Sequence, residues 1–216
     1  MNSAQANAEI WEGLYASGNE GMAYPSEVLV RISHHLLHTA THPNLLAFGF
    51  GGGAEILHFT KRGFRVAGVE VSKSALAVVS RRLERAGEQA DLRLIEKGVI
   101  PFGNGEFDVV VAWQVLYYND WDTLGAAVKE IDRVIRPGGV FLGTMAAVGD
   151  ISSRTGTSLG DSLYESTVPG QAGARTLVLE RVQLSRCFPN RELTIGEFGI
   201  EFLNTQSRHW IVSYTR

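Results

Sequence analysis

Apolar residues recur at two different periods along this chain, and the switch between them divides it. Over residues 8–17, Ile10, Trp11, Leu14 and Tyr15 follow the three- and four-residue spacing of one helix face. A second helix is expected over "EVLVRISHHLL", with Pro25 ahead of it and Ser26 placed to cap it. From residue 44 short apolar runs alternate with amphipathic stretches. "NLLAFGF", "FRVAGVEV", "DLRLIE", "FDVVVAW" and "VFLGTMAAV" read as strands. "AEILHFTKRG", "SKSALAVVSRRLERAG" and "DWDTLGAAVKEIDRVIRPGG" read as helices, stopped by Gly63, by Gly87 and by Pro137 with Gly138 and Gly139. Such alternation predicts an α/β fold, a parallel sheet with helices on both faces.

The pattern changes again after residue 147. Residues 148–173 hold five glycines and eight Ser or Thr with little periodicity, so a long lid-like loop is expected there. "ARTLVLERVQLSRCF" reads as a helix. "ELTIGEFGIEFL" and "RHWIVSYT" read as strands separated only by "NTQS", which leaves no room for a crossover and predicts an antiparallel hairpin. One domain spanning 1–216 is expected: an N-terminal helical cap (1–43), a cofactor-binding core (44–147), the lid-like loop (148–173), and a C-terminal helix with hairpin (174–216).

Composition narrows the class. With 44% hydrophobic and 20% charged residues, the 216-residue chain falls in the globular range. A net charge of -3 gives no electrostatic footprint for nucleic acid. Cys187 is the only cysteine, which excludes an internal disulfide and a cysteine zinc site. The first residues show neither a basic n-region nor an apolar h-region, and no apolar run approaches the ~20 residues of a membrane span, so a cytoplasmic protein is expected, with no membrane partner. His34 and His38 share a helix face but lack a third ligand, so no metal is expected.

The stretch "GFGGGA" between the first strand and its helix brings bare backbone N–H groups and a positive helix end to one place. It satisfies G-x-G-x-x-A, and Glu70 lies 21 residues beyond Gly49 at the end of the next strand, where a carboxylate can accept from ribose hydroxyls. Both a nicotinamide dinucleotide and S-adenosylmethionine fit this pattern.

Five motifs in order resemble the Rossmann-like (class I) S-adenosylmethionine-dependent methyltransferases. "AFGFGGGAE" is similar to the first motif, "GVEVS" to the ribose-binding strand end, and "LIEKGVIPF" to the adenine segment. "EFDVVVAWQVLYY" resembles the fourth strand with its following segment, and "EIDRVIRPGGVFL" the helix, turn and fifth strand. The resemblance implies a three-layer fold around a seven-stranded sheet, mostly parallel with its last strand antiparallel. It implies S-adenosylmethionine as cofactor, held by Gly49, Phe50, Gly51, Gly53, Glu55, Glu70, Val71, Ser72, Glu96, Lys97, Gly98, Ala112, Trp113, Gln114, Tyr117 and Tyr24. The family carries an acid at the end of its first strand where this chain has Ala47, and Glu55 is the candidate replacement. The expected function is methyl transfer to a small-molecule acceptor. Its alternatives are a non-catalytic binder of the same cofactor and an NAD(P)-dependent oxidoreductase. Tyr117 and His209 are the candidates for acid–base work on the acceptor, and Tyr15 and Tyr24 for a cover over the cofactor.

Overall fold

Local signals fix most helix ends. The structure, a computed structural model, describes residues 3–203 and 205–216. Helix α1 (Ser3–Ala16) starts earlier than its apolar period predicts, and α2 (Glu27–Leu36) follows Ser26, whose side chain makes no cap hydrogen bond. In the core come β1 (Asn44–Phe48), α3 (Ala54–Lys61), β2 (Arg65–Glu70), α4 (Lys73–Ala86), β3 (Asp91–Leu94), β4 (Phe107–Ala112), α5 (Trp121–Val134) and β5 (Ile135–Ala147). Ser72 caps α4 by accepting from the Ala75 N–H, and Gly87 ends it in the left-handed region. Asp120 and Thr123 form a reciprocal capping box on α5.

The strand order β3-β2-β1-β4-β5 is parallel throughout. On the far side of β5 lies β10 (Thr205–Thr215), antiparallel to β5 and to β9 (Thr194–Phe202). These seven strands realise the expected sheet. One apolar cluster, with Leu29 of α2, Ile56 of α3 and Val79 of α4, covers one face. The other face carries Val128 and Ile131 of α5 and Leu184 beyond β8.

Two sequence expectations are corrected. Residues 148–173 form regular structure where a loop was expected: a short α6 (Ile151–Thr155) capped by Asp150, then the hairpin β6 (Thr157–Gly160) and β7 (Leu163–Glu165). The expected helix over 174–188 begins instead as β8 (Arg175–Leu179), followed by a 3-10 turn and the one-turn α7 (Leu184–Cys187). Thr176, Leu177, Val178 and Leu179 are all buried, and the Leu177 and Val178 N–H groups donate to Tyr117 and Ser162 carbonyls. Tertiary strand pairing overrides a helical period here. Because β10 occupies the far edge of β5, the pairing of Val178 with Ala146 places β8 on the β4 side, beyond the last β4–β5 pair at Ala112. The β6–β8 unit therefore stands above the C-terminal end of β4. Of the expected turn "NTQS", residues 205–207 belong to β10, and Asn204 lies outside the described residues.

Gly53 opens α3 at φ 77°, and a Cβ there would stand 2.6 Å from Val79 Cγ2. Gly63 has φ 84° with nothing within 4 Å. Gly53→Ala should therefore lower the unfolding free energy by about 2–4 kcal/mol, strain and overpacking together, whereas Gly63→Ala should cost only about 1–2 kcal/mol. Urea unfolding of the two variants checks this, and equal losses would contradict the packing role of Gly53.

Candidate active site

At the C-terminal ends of β1 and β2 the bare loop and a buried acid meet. Gly49, Gly51 and Gly53 all have positive φ, which lets the chain turn within five residues. The Gly49 N–H donates to the Val69 carbonyl at 2.8 Å. Glu70 is 7% exposed, and its carboxylate accepts from the Gly51, Val71 and Ser72 N–H groups at 2.9, 2.7 and 3.3 Å. Burial pushes its pKa up, and these three bonds oppose the shift. Glu55, in the first turn of α3, is also raised by burial and accepts no side-chain hydrogen bond among the described residues. Ala47 is buried in the apolar cluster of Leu45, Val109 and Val111.

The N-terminal helix lies across this corner. Glu12 accepts from the Ser72 and Ser74 hydroxyls, both at 2.7 Å, and from the Ser74 N–H at 3.2 Å, which sets a carboxylate at the positive end of α4. A Cβ on Gly51 would stand 2.5 Å from the Tyr15 hydroxyl, and one on Gly52 would stand 2.3 Å from the Glu20 carbonyl oxygen. Arg82 of α4 donates to the Met22 and Gly52 carbonyls, tying the following segment down. At the other end of α1, the buried Asn7 amide donates to the Tyr118 and Arg175 carbonyls and accepts from the Arg175 N–H. Trp11 meets the Tyr118 ring edge-on at 4.8 Å. One helix thus spans from the glycine loop to the segment after β4. Of the two tyrosines expected in a cover, Tyr15 lies against the glycine loop. Tyr24, on the segment that follows, is 79% exposed.

The segment after β4 forms the remaining wall. Val115 fills the space where Gly49 has no Cβ, at 2.2 Å from that ideal position, so only glycine permits this approach. Gln114 is exposed at φ 53°, its N–H held by Thr144 Oγ1 at 2.7 Å. Ala112 and Tyr117 are buried. Trp113 is buried and stacked on Phe198 at 5.6 Å. His209 is buried with its Nε2 3.2 Å from the Tyr117 hydroxyl.

Among the other residues expected around a cofactor, Val71 and Ser72 adjoin Glu70, and Ile95 donates to the Glu70 carbonyl, which brings the exposed turn Glu96–Lys97–Gly98 to the same sheet end. The Phe50 side chain is buried in the apolar core, leaving its backbone to the loop. Glu12, Ser74, Arg82, Asn7 and Thr144 were missed by sequence reading. Each acts through a partner at least 30 residues away, a relation that no local period carries.

Residues 46–143 match the family model of the methyltransferase domain. Over 95 residues the chain is 30% identical to an uncharacterised methyltransferase of Synechocystis, covering 42% of this chain and 41% of that protein. Over 94 residues it is 36% identical to a probable S-adenosylmethionine-dependent methyltransferase of Mycolicibacterium smegmatis, covering 44% and 34%. The matched region thus spans less than half the length of these curated relatives. A solved structure of the 1,6-didemethyltoxoflavin-N1-methyltransferase of Burkholderia thailandensis, with bound 1,6-didemethyltoxoflavin and S-adenosylhomocysteine, superposes with a TM-score of 0.72 at 16% identity, over 99% of this chain and 88% of that one. The methyltransferase-domain match takes in a little under half of this chain, and with these relatives it supports a class I S-adenosylmethionine-dependent methyltransferase domain with S-adenosylmethionine as its cofactor. Among the described residues no helix is long and apolar enough to cross a membrane.

Donation from Ser74 and Ser72 holds the Glu12 carboxyl below the usual carboxylate range. A lowered folded value means that its hold on α4 is complete above the ordinary glutamate pKa of about 4.3 and is lost as pH falls through the lowered value. Amide exchange in 3–16 should therefore rise on acidification more than in the core. Glu12→Gln should raise it at neutral pH and flatten the pH dependence. Unchanged protection in the variant would contradict the latch.

Proposed function

We propose that this protein transfers a methyl group from S-adenosylmethionine to a small-molecule acceptor. The observation that carries this reading is the buried Glu70 carboxylate bonded to Gly51, an acid and a bare glycine loop at one sheet end. Glu70 would hold the ribose hydroxyls, with Val71 and Ser72 beside it and Glu96, Lys97 and Gly98 toward the base. The backbone of Gly49, Phe50, Gly51 and Gly53 would line the chain of the ligand. Glu55, an enclosed acid with no side-chain partner among the described residues, would receive its ammonium group in place of the acid that Ala47 lacks. Ala112, Trp113, Gln114 and Tyr117 would form the wall toward the acceptor.

The cofactor supplies an electrophilic methyl group on a sulfonium. What the chain must add is alignment and the exclusion of water. The α1 cover over the glycine loop and Tyr118 suits both. A cover lying this close to the loop favours a small acceptor over a protein surface or a nucleic acid strand, and the Burkholderia neighbour is named for a small heterocycle. A lone, buried Cys187 suits a reducing, cytoplasmic setting. The apolar setting of Ala47 keeps a second reading in view, a protein that binds the cofactor without turning it over.

Calorimetry separates the readings. S-adenosylhomocysteine should bind, and NAD and NADP should not. Glu70→Ala removes hydrogen bonds to a charged group, each worth about 1.5–3 kcal/mol, and should weaken binding roughly tenfold to hundredfold. Tight NADH binding, or an unchanged affinity in Glu70→Ala, would overturn the assignment.

A further inference from the structure

The last turn of α1 aims a phenol at the bare loop. A Cβ built on Gly51 would stand 2.5 Å from the Tyr15 hydroxyl oxygen and 3.7 Å from the ring carbon that bears it, so the hydroxyl leads the approach. Tyr15 is half-buried, and its hydroxyl has no hydrogen-bond partner among the described residues. The helix that carries it is fixed at two points. Glu12, one turn earlier, accepts from the Ser72 and Ser74 hydroxyls, and Asn7 is bonded to the Tyr118 and Arg175 backbones. An enclosed donor is thus held over the loop with nothing in the chain to receive it.

The charges that bear on this hydroxyl are Glu70, Glu55 and Arg82, with the Tyr118 phenol beside them. Burial, first, and then the two acids hold the Tyr15 phenol far above its usual ionisation range, so it stays protonated and can donate. Arg82 is engaged elsewhere: it donates to the Met22 and Gly52 carbonyls and stands 3.7 Å from the Glu20 carboxylate. The donor free to act at this corner is therefore neutral.

We propose that the Tyr15 hydroxyl donates a hydrogen bond to the carboxylate at the amino-acid end of the cofactor, and that it thereby selects ligands carrying that group. This rests on the methyltransferase reading above. In the cofactor one carbon bears both the ammonium and the carboxylate, so an ammonium received by Glu55 brings the carboxylate beside it. The field of Glu55 reaches the Tyr15 hydroxyl, which puts the two side chains at the same end of the loop. A carboxylate entering there meets two acids of like charge and needs a donor to hold it. A protonated phenol supplies that donor without burying a further charge. The ligand, in turn, gives the hydroxyl the partner that the chain does not, which offsets the cost of enclosing it.

Calorimetry on the full-length protein tests this with two probes, S-adenosylhomocysteine and its decarboxylated analogue, which keeps the adenosine, the thioether and the ammonium. Tyr15→Phe retains the ring and removes only the hydroxyl. It should weaken S-adenosylhomocysteine about tenfold or more and leave the analogue within about twofold of wild type. Without ligand its urea midpoint should match wild type, since no bond within the chain is lost. Glu12→Gln, which loosens the helix that carries the phenol, should show the same selective loss and serves if Tyr15→Phe does not fold. Unchanged affinity for S-adenosylhomocysteine in Tyr15→Phe would overturn the inference alone. Equal losses for both probes would also overturn it, because the hydroxyl would then serve the cover or another part of the ligand. Failure of wild type to bind S-adenosylhomocysteine would overturn the methyltransferase reading and the inference with it.

Discussion

The bonds from the Gly51, Val71 and Ser72 N–H groups to the Glu70 carboxylate organise everything else at the working end of this sheet. They oppose the upward shift that burial gives the Glu70 pKa, and they do so with donors from both sides of the β1–β2 crevice. The glycine loop is set by the same bonds. Without a Cβ at Gly49 the segment after β4 can press Val115 against it, which brings the walls of the crevice together. Ser72, whose N–H joins the Glu70 cluster, also caps α4 and donates its hydroxyl to Glu12 of α1. One corner thus couples sheet, loop, helix and cover.

The cover has two parts that meet. Helix α1 crosses from α4 to β8, anchored by Glu12 at one end and Asn7 at the other. The turn before β8 packs against it: ideal Cβ positions at Gly170 and Gly173 lie 3.5 and 3.7 Å from Leu14 and Ile10 side chains. The β6–β8 unit itself is an antiparallel extension of the sheet beyond β4, further braced where Trp121 donates to the Asp161 carbonyl and stacks under Arg186. Trp121 therefore ties this unit to the start of α5.

The core was legible from the chain because its signals are local. Strand runs such as "NLLAFGF", the cap at Ser72, the stop at Gly87 and the acid at Glu70 each act within a few residues. The hairpin of β9 and β10 was legible from the absence of room for a crossover. The stretch 148–188 was misread because its structure comes from distant pairing: β8 exists through Ala146 and Tyr117, not through its own period. The contact between Tyr117 and His209, 92 residues apart, left no trace in sequence beyond two residue types suited to proton transfer.

The central claim is that the Glu70–glycine corner is the cofactor site of a methyltransferase. A crystal structure of the protein with S-adenosylhomocysteine tests it most directly. The ribose hydroxyls should lie on the Glu70 carboxylate, the amino group beside Glu55, and α1 over the ligand. A ligand bound elsewhere, or one that leaves Glu70 and the glycine loop untouched, would contradict it.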